Sequence, residues 1–181
     1  NALPNQSAMT LSRYANIMAR LGDGNSAMEI ITALVRGMSM DNLIFSASDW
    51  RGMGIGKTDI WASYTIEPNM GITAAVQEMI LQSNENTVML LPAISEIMAK
   101  GEINGLLTRA GVEIVSLAWD IRRGTVLAKI KSKKAGKINI KMPAGAKKYR
   151  QIGSETVDYE NGLISGLSLP AGKVVNIDIR F

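Results

Sequence analysis

The sequence predicts an α+β fold, in which an amino-terminal helical part precedes a carboxyl-terminal antiparallel β-sandwich. In the first part of the chain, apolar residues recur at the spacing of amphipathic helices. After about residue 110, apolar and polar residues alternate with a period of two, which is typical of half-buried strands. The composition changes near residue 100. We therefore predict a helical domain over residues 1–100 and a β-sandwich domain over residues 101–181.

The first two predicted helices form a hairpin. An apolar stripe at i, i+3, i+4 and i+7 predicts the first helix, with Thr10 as its N-cap and Gly22 as its stop. The second helix is predicted to start at Ser26, which forms an S-x-x-E capping box with Glu29, and to end at Gly37. The linker LGDGN is short, so we expect the two helices to pack antiparallel.

A long irregular segment is predicted over residues 41–65, and it carries Trp50, Trp61 and Tyr64. Loops of this length in compact domains are usually functional or disordered. Exposed aromatic rings suit stacking on the apolar face of a sugar ring, which makes these three residues candidates for substrate binding. The alternative is that the tryptophans are ordinary core residues.

A third helix is predicted over residues 71–83, because Ala75, Val76, Met79 and Ile80 form one apolar face. The run TVMLLPA, from Thr87 to Ala93, then predicts a short strand. One further helical turn is expected at about residues 95–99.

Several short runs after residue 101 predict the sandwich. VEIVSLAWD alternates with period two, which places Val115, Leu117 and Trp119 on one predicted face. TVLAKIKS, KINIKM and KVVNIDIRF repeat the alternation, and Asn161-Gly162 is a strong signal for a two-residue hairpin turn. Strands at roughly ten-residue spacing are typical of an antiparallel sandwich.

Composition excludes several classes of chemistry. The chain has no cysteine and no histidine, so Ser-His-Asp and Cys-His catalysis are impossible within it, and we predict neither a cofactor nor a metal. The net charge of +4 comes largely from residues 122–150, where lysines alternate with apolar residues as on the solvated face of strands. Tyr149 is the only aromatic residue there that could stack on a base, so we predict no nucleic-acid partner. The sequence contains no run of about 18 apolar residues, so we predict no transmembrane helix.

Four blocks of sequence resemble glycoside hydrolase family 95, the α-L-fucosidases, in order and spacing. They are MARLGDG at residues 18–24, Asn42-Leu43, TIEPNMGITAAVQEMILQSNENTVMLLPA at residues 65–93, and GLLTRAGVEIVSLAW at residues 105–119. The family combines an (α/α)6 barrel of twelve helices with a β domain after it. The resemblance therefore implies that this chain corresponds to the last part of the barrel plus the β domain.

The resemblance also implies a candidate catalytic residue. The acidic residue that helps to activate the hydrolytic water in the family corresponds to Glu67, with Glu in place of Asp and Pro68 in place of Gly. The asparagine beside it in the family corresponds to Asn69, a candidate substrate contact. The family's general acid lies earlier in the barrel, outside the matched blocks. A simpler interpretation of Glu67 is a carboxylate stabilised by the dipole of the helix that follows it.

Three functions remain open from the sequence. The resemblance implies a part or a truncated relative of an α-L-fucosidase that acts on fucosylated oligosaccharides or glycans, extracellular or periplasmic, and incomplete for catalysis alone. Its partner would be the missing barrel half or a second copy of the chain. The alternatives are a non-catalytic carbohydrate-binding protein that uses the aromatic residues of the 41–65 segment, and a structural or oligomerisation module with exposed apolar helix faces.

Overall fold

The computed structural model describes residues 6–56, 58, 63–151, 157–158 and 162–181. The chain forms two compact units. The helical unit comprises Asn1–Ile80 and Ala93–Ser95, and the β unit comprises Leu81–Pro92 and Glu96–Phe181. The fold class is α+β, as predicted, with helices in the amino-terminal part and sheets in the carboxyl-terminal part. The domain boundary near residue 100 stays a prediction.

Three α-helices and one short strand pair make up the described part of the helical unit. They are α1 (Ala8–Leu21), α2 (Gly24–Met38), β1 (Phe45–Ser46), β2 (Tyr64–Thr65) and α3 (Glu67–Ile80). Helix α1 packs against both α2 and α3. A cluster of buried apolar side chains forms the core between them: Ala8, Leu11, Leu34, Met38 and Phe45. None of the helices in the described ranges is long and apolar enough to cross a membrane.

Helices α1 and α2 start two to three residues before the predicted positions. Ser7 caps α1 and accepts a hydrogen bond from the Thr10 amide at 3.3 Å, while Asp23 caps α2 and accepts one from the Ser26 amide at 3.0 Å. The predicted caps at Thr10 and Ser26 are therefore wrong, because an earlier side chain already takes their amides. The predicted stop at Gly22 is confirmed, since this residue is the left-handed C-cap of α1 with φ of 84°.

The third helix begins and ends earlier than predicted. It starts at Glu67, and Pro68 follows in the first turn. Proline fits there because it lacks a backbone N–H, and the N–H groups of the first turn have no partner within the helix. It ends at Ile80, because the next three residues pair with a neighbouring strand instead of continuing the helix. The tertiary pairing thus overrides the helical pattern of the sequence.

The described residues of the β unit form two sheets. The six-stranded sheet has the order β10-β9-β12-β7-β6-β5, and the four-stranded sheet has the order β11-β8-β4-β3. The strands are β3 (Leu81–Ser83), β4 (Thr87–Leu90), β5 (Lys100–Leu107), β6 (Val112–Asp120), β7 (Thr125–Ser132), β8 (Gly136–Lys141), β9 (Lys148–Gln151), β10 (Val157–Asp158), β11 (Leu163–Leu169) and β12 (Val174–Arg180), with a short 3-10 helix at Glu96–Met98. The predicted Asn161-Gly162 turn includes Asn161, which lies outside the described residues.

Strand pairing is antiparallel in both sheets except between β4 and β8, which pair in parallel. The purely antiparallel prediction misses this pair. Between β4 and β8 the chain runs through three strands of the other sheet, and a crossover of that length allows two strands to run in the same direction.

Each sheet buries one face, which is the pattern of a β-sandwich. Val126, Ala128 and Ile130 are buried on β7, as the sequence predicts. On β6 the predicted face is only partly right, because a β-bulge lies between Ile114 and Ser116. The extra residue at the bulge shifts the alternation, so the buried set becomes Val112, Ile114, Leu117 and Trp119, and Val115 is only half-buried.

A backbone contact in the helical unit requires glycine at position 24, and Gly24→Ala tests it. A Cβ atom there would overlap the carbonyl oxygen of Ala93 and lie 2.5 Å from its carbonyl carbon. Alanine normally favours helix formation. We expect the opposite sign here, with the free energy of unfolding lowered by about 1–3 kcal/mol because the backbone must move. Urea unfolding measures the change.

Gly136→Ala is the matched control, because nothing lies within 4 Å of a Cβ atom there and its φ is not positive. Its unfolding midpoint should stay close to that of the original chain. Equal midpoints for the two variants would contradict the close approach at Gly24.

Candidate functional site

The short pair of β1 and β2 organises the candidate site. Phe45 pairs with Thr65 and Ser46 pairs with Tyr64, so the irregular segment after α2 returns beside the start of α3. The amide of Ala47 extends this contact by donating to Ser63 O at 2.8 Å. As a result, Tyr64 lies on the second strand, and the first turn of α3, which carries the catalytic candidate, follows two residues later.

Glu67 is exposed to solvent on the first turn of α3. The Thr65 hydroxyl donates a hydrogen bond to Glu67 Oε2. This hydrogen bond, followed by the backbone amide of Glu67 itself, lowers the pKa of the carboxyl below its usual value. Glu67 is therefore ionised at neutral pH, which is the protonation state that the water-activating side of a hydrolytic site requires.

Asn69 uses both ends of its amide on the protein backbone. Its Nδ2 donates to Leu43 O at 2.8 Å, and its Oδ1 accepts from the Phe45 amide at 3.3 Å. Leu43 adopts φ of 64°, a conformation that costs a non-glycine residue about 1–3 kcal/mol. These two bonds hold residues 43–45 in that conformation, so Asn69 fixes the segment that leads into β1.

The aromatic candidates differ in their surroundings. Tyr64 is 72% exposed on β2, and Trp50 is 39% exposed. The Arg51 guanidinium carbon lies 4.5 Å from the centroid of the Trp50 ring, within cation–π range, and Arg51 Nη1 donates to Arg36 O at 2.9 Å. The Arg51 guanidinium therefore covers one face of the Trp50 indole, and its hydrogen bond to Arg36 O holds it there. Trp61 lies outside the described residues.

Sequence reasoning missed Asp49, which organises the loop that carries Trp50. Its carboxylate is fully buried, with Oδ1 accepting from the Met53 amide at 3.1 Å and Oδ2 from the Ile55 amide at 2.9 Å. Gly52 and Gly54, both with positive φ, lie in the turn between Asp49 and Ile55. The available signal was an aspartate immediately before a glycine-rich run, since a carboxylate often ties such a turn to itself.

The structure brings some of the predicted site residues together. Glu67, Asn69 and Tyr64 are connected through β1, β2 and the first turn of α3, by the contacts described above. The described contacts of Trp50 lie within its own loop. Within the described ranges, no group of three or more acidic, histidine or cysteine residues could hold a metal ion.

Comparison with protein families decides the identity of the chain. Residues 82–177, more than half of the sequence, match the model of "Glycoside hydrolase family 95, C-terminal domain". The chain belongs to glycoside hydrolase family 95. The match covers most of the β unit of this family 95 chain, and the resemblance drawn from the sequence is confirmed.

The chain is also similar to parts of two other proteins. The chain is 42% identical over 57 residues to "Alpha-L-fucosidase 2" of Arabidopsis thaliana. This aligned stretch covers 31% of this chain and 7% of that protein. Among solved structures, it is similar to the crystal structure of a GH127 beta-L-arabinofuranosidase from Geobacillus stearothermophilus T6. There the TM-score is 0.48 at 16% identity, over 98% of this chain and 32% of the other. The chain thus spans a small share of the length of both proteins.

The lowered pKa of Glu67 gives a testable prediction. In a carbon-detected NMR titration, the Glu67 carboxyl should titrate below its usual value of 4.5. Thr65→Val should raise this pKa toward the usual value, because it removes the donor with the largest effect. Thr65→Ser keeps a hydroxyl and should keep most of the shift.

The same change should alter stability in a defined pH range. A carboxyl whose pKa is lower in the folded state contributes stability above its unfolded pKa and loses it as pH falls through the folded pKa. Thr65→Val should therefore be less stable than the original chain at neutral pH, and the difference should vanish in acid. A Glu67 pKa at its usual value in the original chain would contradict the hydrogen bond.

Proposed function

We propose that this chain supplies the water-activating side of a glycoside hydrolase that acts on α-L-fucosylated glycans, with the general acid coming from outside the chain. Membership of family 95, shown by the match over residues 82–177, carries the proposal. The 57-residue likeness to a protein named "Alpha-L-fucosidase 2" supports fucosylated glycans as the substrate. We also propose, from the family resemblance, that the protein acts in the periplasm or the extracellular space.

Glycoside hydrolysis needs two groups, one to protonate the leaving oxygen and one on the other side of the anomeric carbon. Glu67 fits the second role, because its carboxylate is exposed to solvent and, with its pKa lowered by Thr65, is ionised at neutral pH. In the reaction, the Glu67 carboxylate takes a proton from water as the water oxygen attacks the anomeric carbon. The described hydrogen bonds of Glu67 involve Thr65 and backbone amides, and none of them connects it to a second carboxyl group.

We propose that the general acid comes from a preceding barrel segment or from another copy of the chain. Asn69 is proposed to support the site mainly by position. Its bonds to Leu43 and Phe45 fix the segment beside β2. Tyr64, exposed on β2, is proposed as the aromatic contact nearest in sequence to Glu67.

Release of L-fucose tests this proposal. The chain would be joined to the amino-terminal barrel part of a family 95 α-L-fucosidase, with folding checked by circular dichroism, and assayed on 2′-fucosyllactose. We expect release by the joined protein and a loss of about a hundredfold or more in kcat for Glu67→Gln, because the general base is removed. The exposed Glu29→Gln on α2 is the matched control and should keep full activity.

Two results would contradict the proposal. One is a folded joined protein that releases no L-fucose. The other is equal release by the Glu67→Gln variant, which would assign water activation to another group.

A non-catalytic carbohydrate-binding function is the second candidate, and the Trp50 loop favours it. Arg51 braces the indole ring at 4.5 Å, and the buried Asp49 ties the loop that carries it. Aromatic side chains that are held in place lose little conformational entropy when a ligand stacks on them. A sugar ring could therefore stack on Trp50 without chemistry at Glu67.

Sugar binding without turnover tests this candidate. NMR titration with 2′-fucosyllactose should give saturable shifts, and Trp50→Ala should weaken the affinity by roughly tenfold, the effect expected for loss of a stacking platform. Met53→Ala, an exposed change in the same loop, should leave the affinity unchanged. Unchanged affinity in Trp50→Ala would remove this loop from consideration.

A further inference from the structure

The β unit contains a buried carboxylate that the candidate site does not use. On β12, Ile177 and Ile179 face the core, and Asp178 between them lies on the opposite face of the six-stranded sheet. Asp178 is nevertheless only 7% exposed. A charged side chain on the outer face of a sheet is buried only when other side chains cover it and pair with it.

Two arginines lie over this carboxylate. Arg180 Nε lies 2.8 Å from Asp178 Oδ1 and Arg180 Nη2 donates to Oδ2 at 2.9 Å, while Arg150 Nη2 lies 3.6 Å from Oδ2. Strand pairing explains the geometry, because Arg150 lies directly opposite Asp178 on β9 and Arg180 lies two residues along β12 on the same face. One negative charge therefore holds two positive charges in place.

The arginines keep part of their hydrogen-bonding capacity for a ligand. Both side chains are about half exposed, and each guanidinium carries five donors. They border a shallow groove of about 220 Å³ that is lined by Lys148, Tyr149, Arg150, Asp178 and Arg180. Of the cations that line the groove, Arg150 and Arg180 are the two that pair with Asp178.

The surroundings of the groove indicate which anion it suits. On the other side of β12, Asp178 pairs with Leu127, whose apolar side chain is exposed on the same face. A fixed guanidinium pair matches the planar oxygens of a carboxylate or the oxygens of a sulfate, and an apolar side chain beside it suits the face of a sugar ring. A nucleic acid would need stacking residues, and among the described residues Tyr149 is the only aromatic one that lines the groove.

We propose that Arg150 and Arg180, held by Asp178, form a binding site for an acidic sugar unit, one that carries a carboxylate or a sulfate group. The choice of a glycan as ligand rests on family membership, and it does not depend on hydrolysis at Glu67. The β unit would then recognise charged positions of a glycan, while the chemistry takes place elsewhere.

Calorimetric titration of the 181-residue chain tests this site. The probes are a galacturonic acid trisaccharide, its fully methyl-esterified form as the matched neutral ligand, a sulfated galactose trisaccharide, and a short single-stranded DNA. We expect at least one acidic trisaccharide to bind, the neutral ester to bind at least tenfold more weakly, and the affinity to fall with added salt. Arg150→Gln should weaken binding by roughly tenfold, the loss expected for one charge-assisted contact.

Arg123→Gln is the control, because Arg123 is an exposed arginine of the same unit that pairs with Asp120 instead. It should leave both affinity and unfolding midpoint unchanged. Arg150→Gln should also keep its midpoint, since Arg180 still pairs with Asp178. Equal affinity for the acid and its ester, unchanged binding in Arg150→Gln, or tightest binding to DNA would each overturn the proposal. None of these results depends on L-fucose release.

Discussion

The contact between Gly24 and Ala93 is the constraint on which the helical unit depends. Residues 93–95 belong to this unit although the residues on both sides of them belong to the β unit. The Ala93 amide donates to Met79 O at 3.2 Å, and the Ala93 carbonyl lies where a side chain at position 24 would begin. Helix α2 can start where it does only because that side chain is absent. Gly22 ends α1 and Asp23 caps α2, so the first residue of α2 is Gly24.

A second close approach connects α1 to the helix that carries Glu67. Asn16 Nδ2 donates to Ser12 O and to Gly71 O, both at 2.8 Å, and a Cβ atom at Gly71 would lie 2.6 Å from Ser12 Oγ. Glycine and a small side chain allow the two helices to approach each other, and the Asn16 amide then bridges them. The first turn of α3 is therefore fixed by two contacts. Gly71 is bonded to α1 through Asn16, and Asn69 is bonded to residues 43–45.

The sequence was sufficient wherever local patterns agreed with tertiary packing. The hairpin of α1 and α2, its stop at Gly22 and the buried face of β7 all follow from spacing and from the chemistry of glycine. The sequence was insufficient where a distant partner decides. Residues 81–83 leave the helical pattern because β4 pairs with them, and the bulge on β6 moves Val115 off the buried face. Neither partner is visible in a local window.

The candidate site shows the same division. The resemblance to family 95 singled out Glu67 and Asn69, but it could not predict that Asn69 would use both ends of its amide on Leu43 and Phe45, which lie 24 to 26 residues earlier. Asp49 carried only a weak signal in the sequence, because its role depends on burial, and burial is a property of the folded loop.

Three carboxylates show how exposure separates support from chemistry. Asp49, Glu67 and Asp178 are each held by hydrogen-bond donors or by arginines. Asp49 and Asp178 are buried, and their carboxylates bind a loop and two guanidinium groups respectively. Glu67 alone among these three is exposed while remaining anchored by Thr65. A water molecule can approach it, and the hydrogen bond that lowers its pKa also fixes its direction. For this reason, Glu67 is the one of the three that we propose for catalysis, and we propose that the two buried groups support binding surfaces.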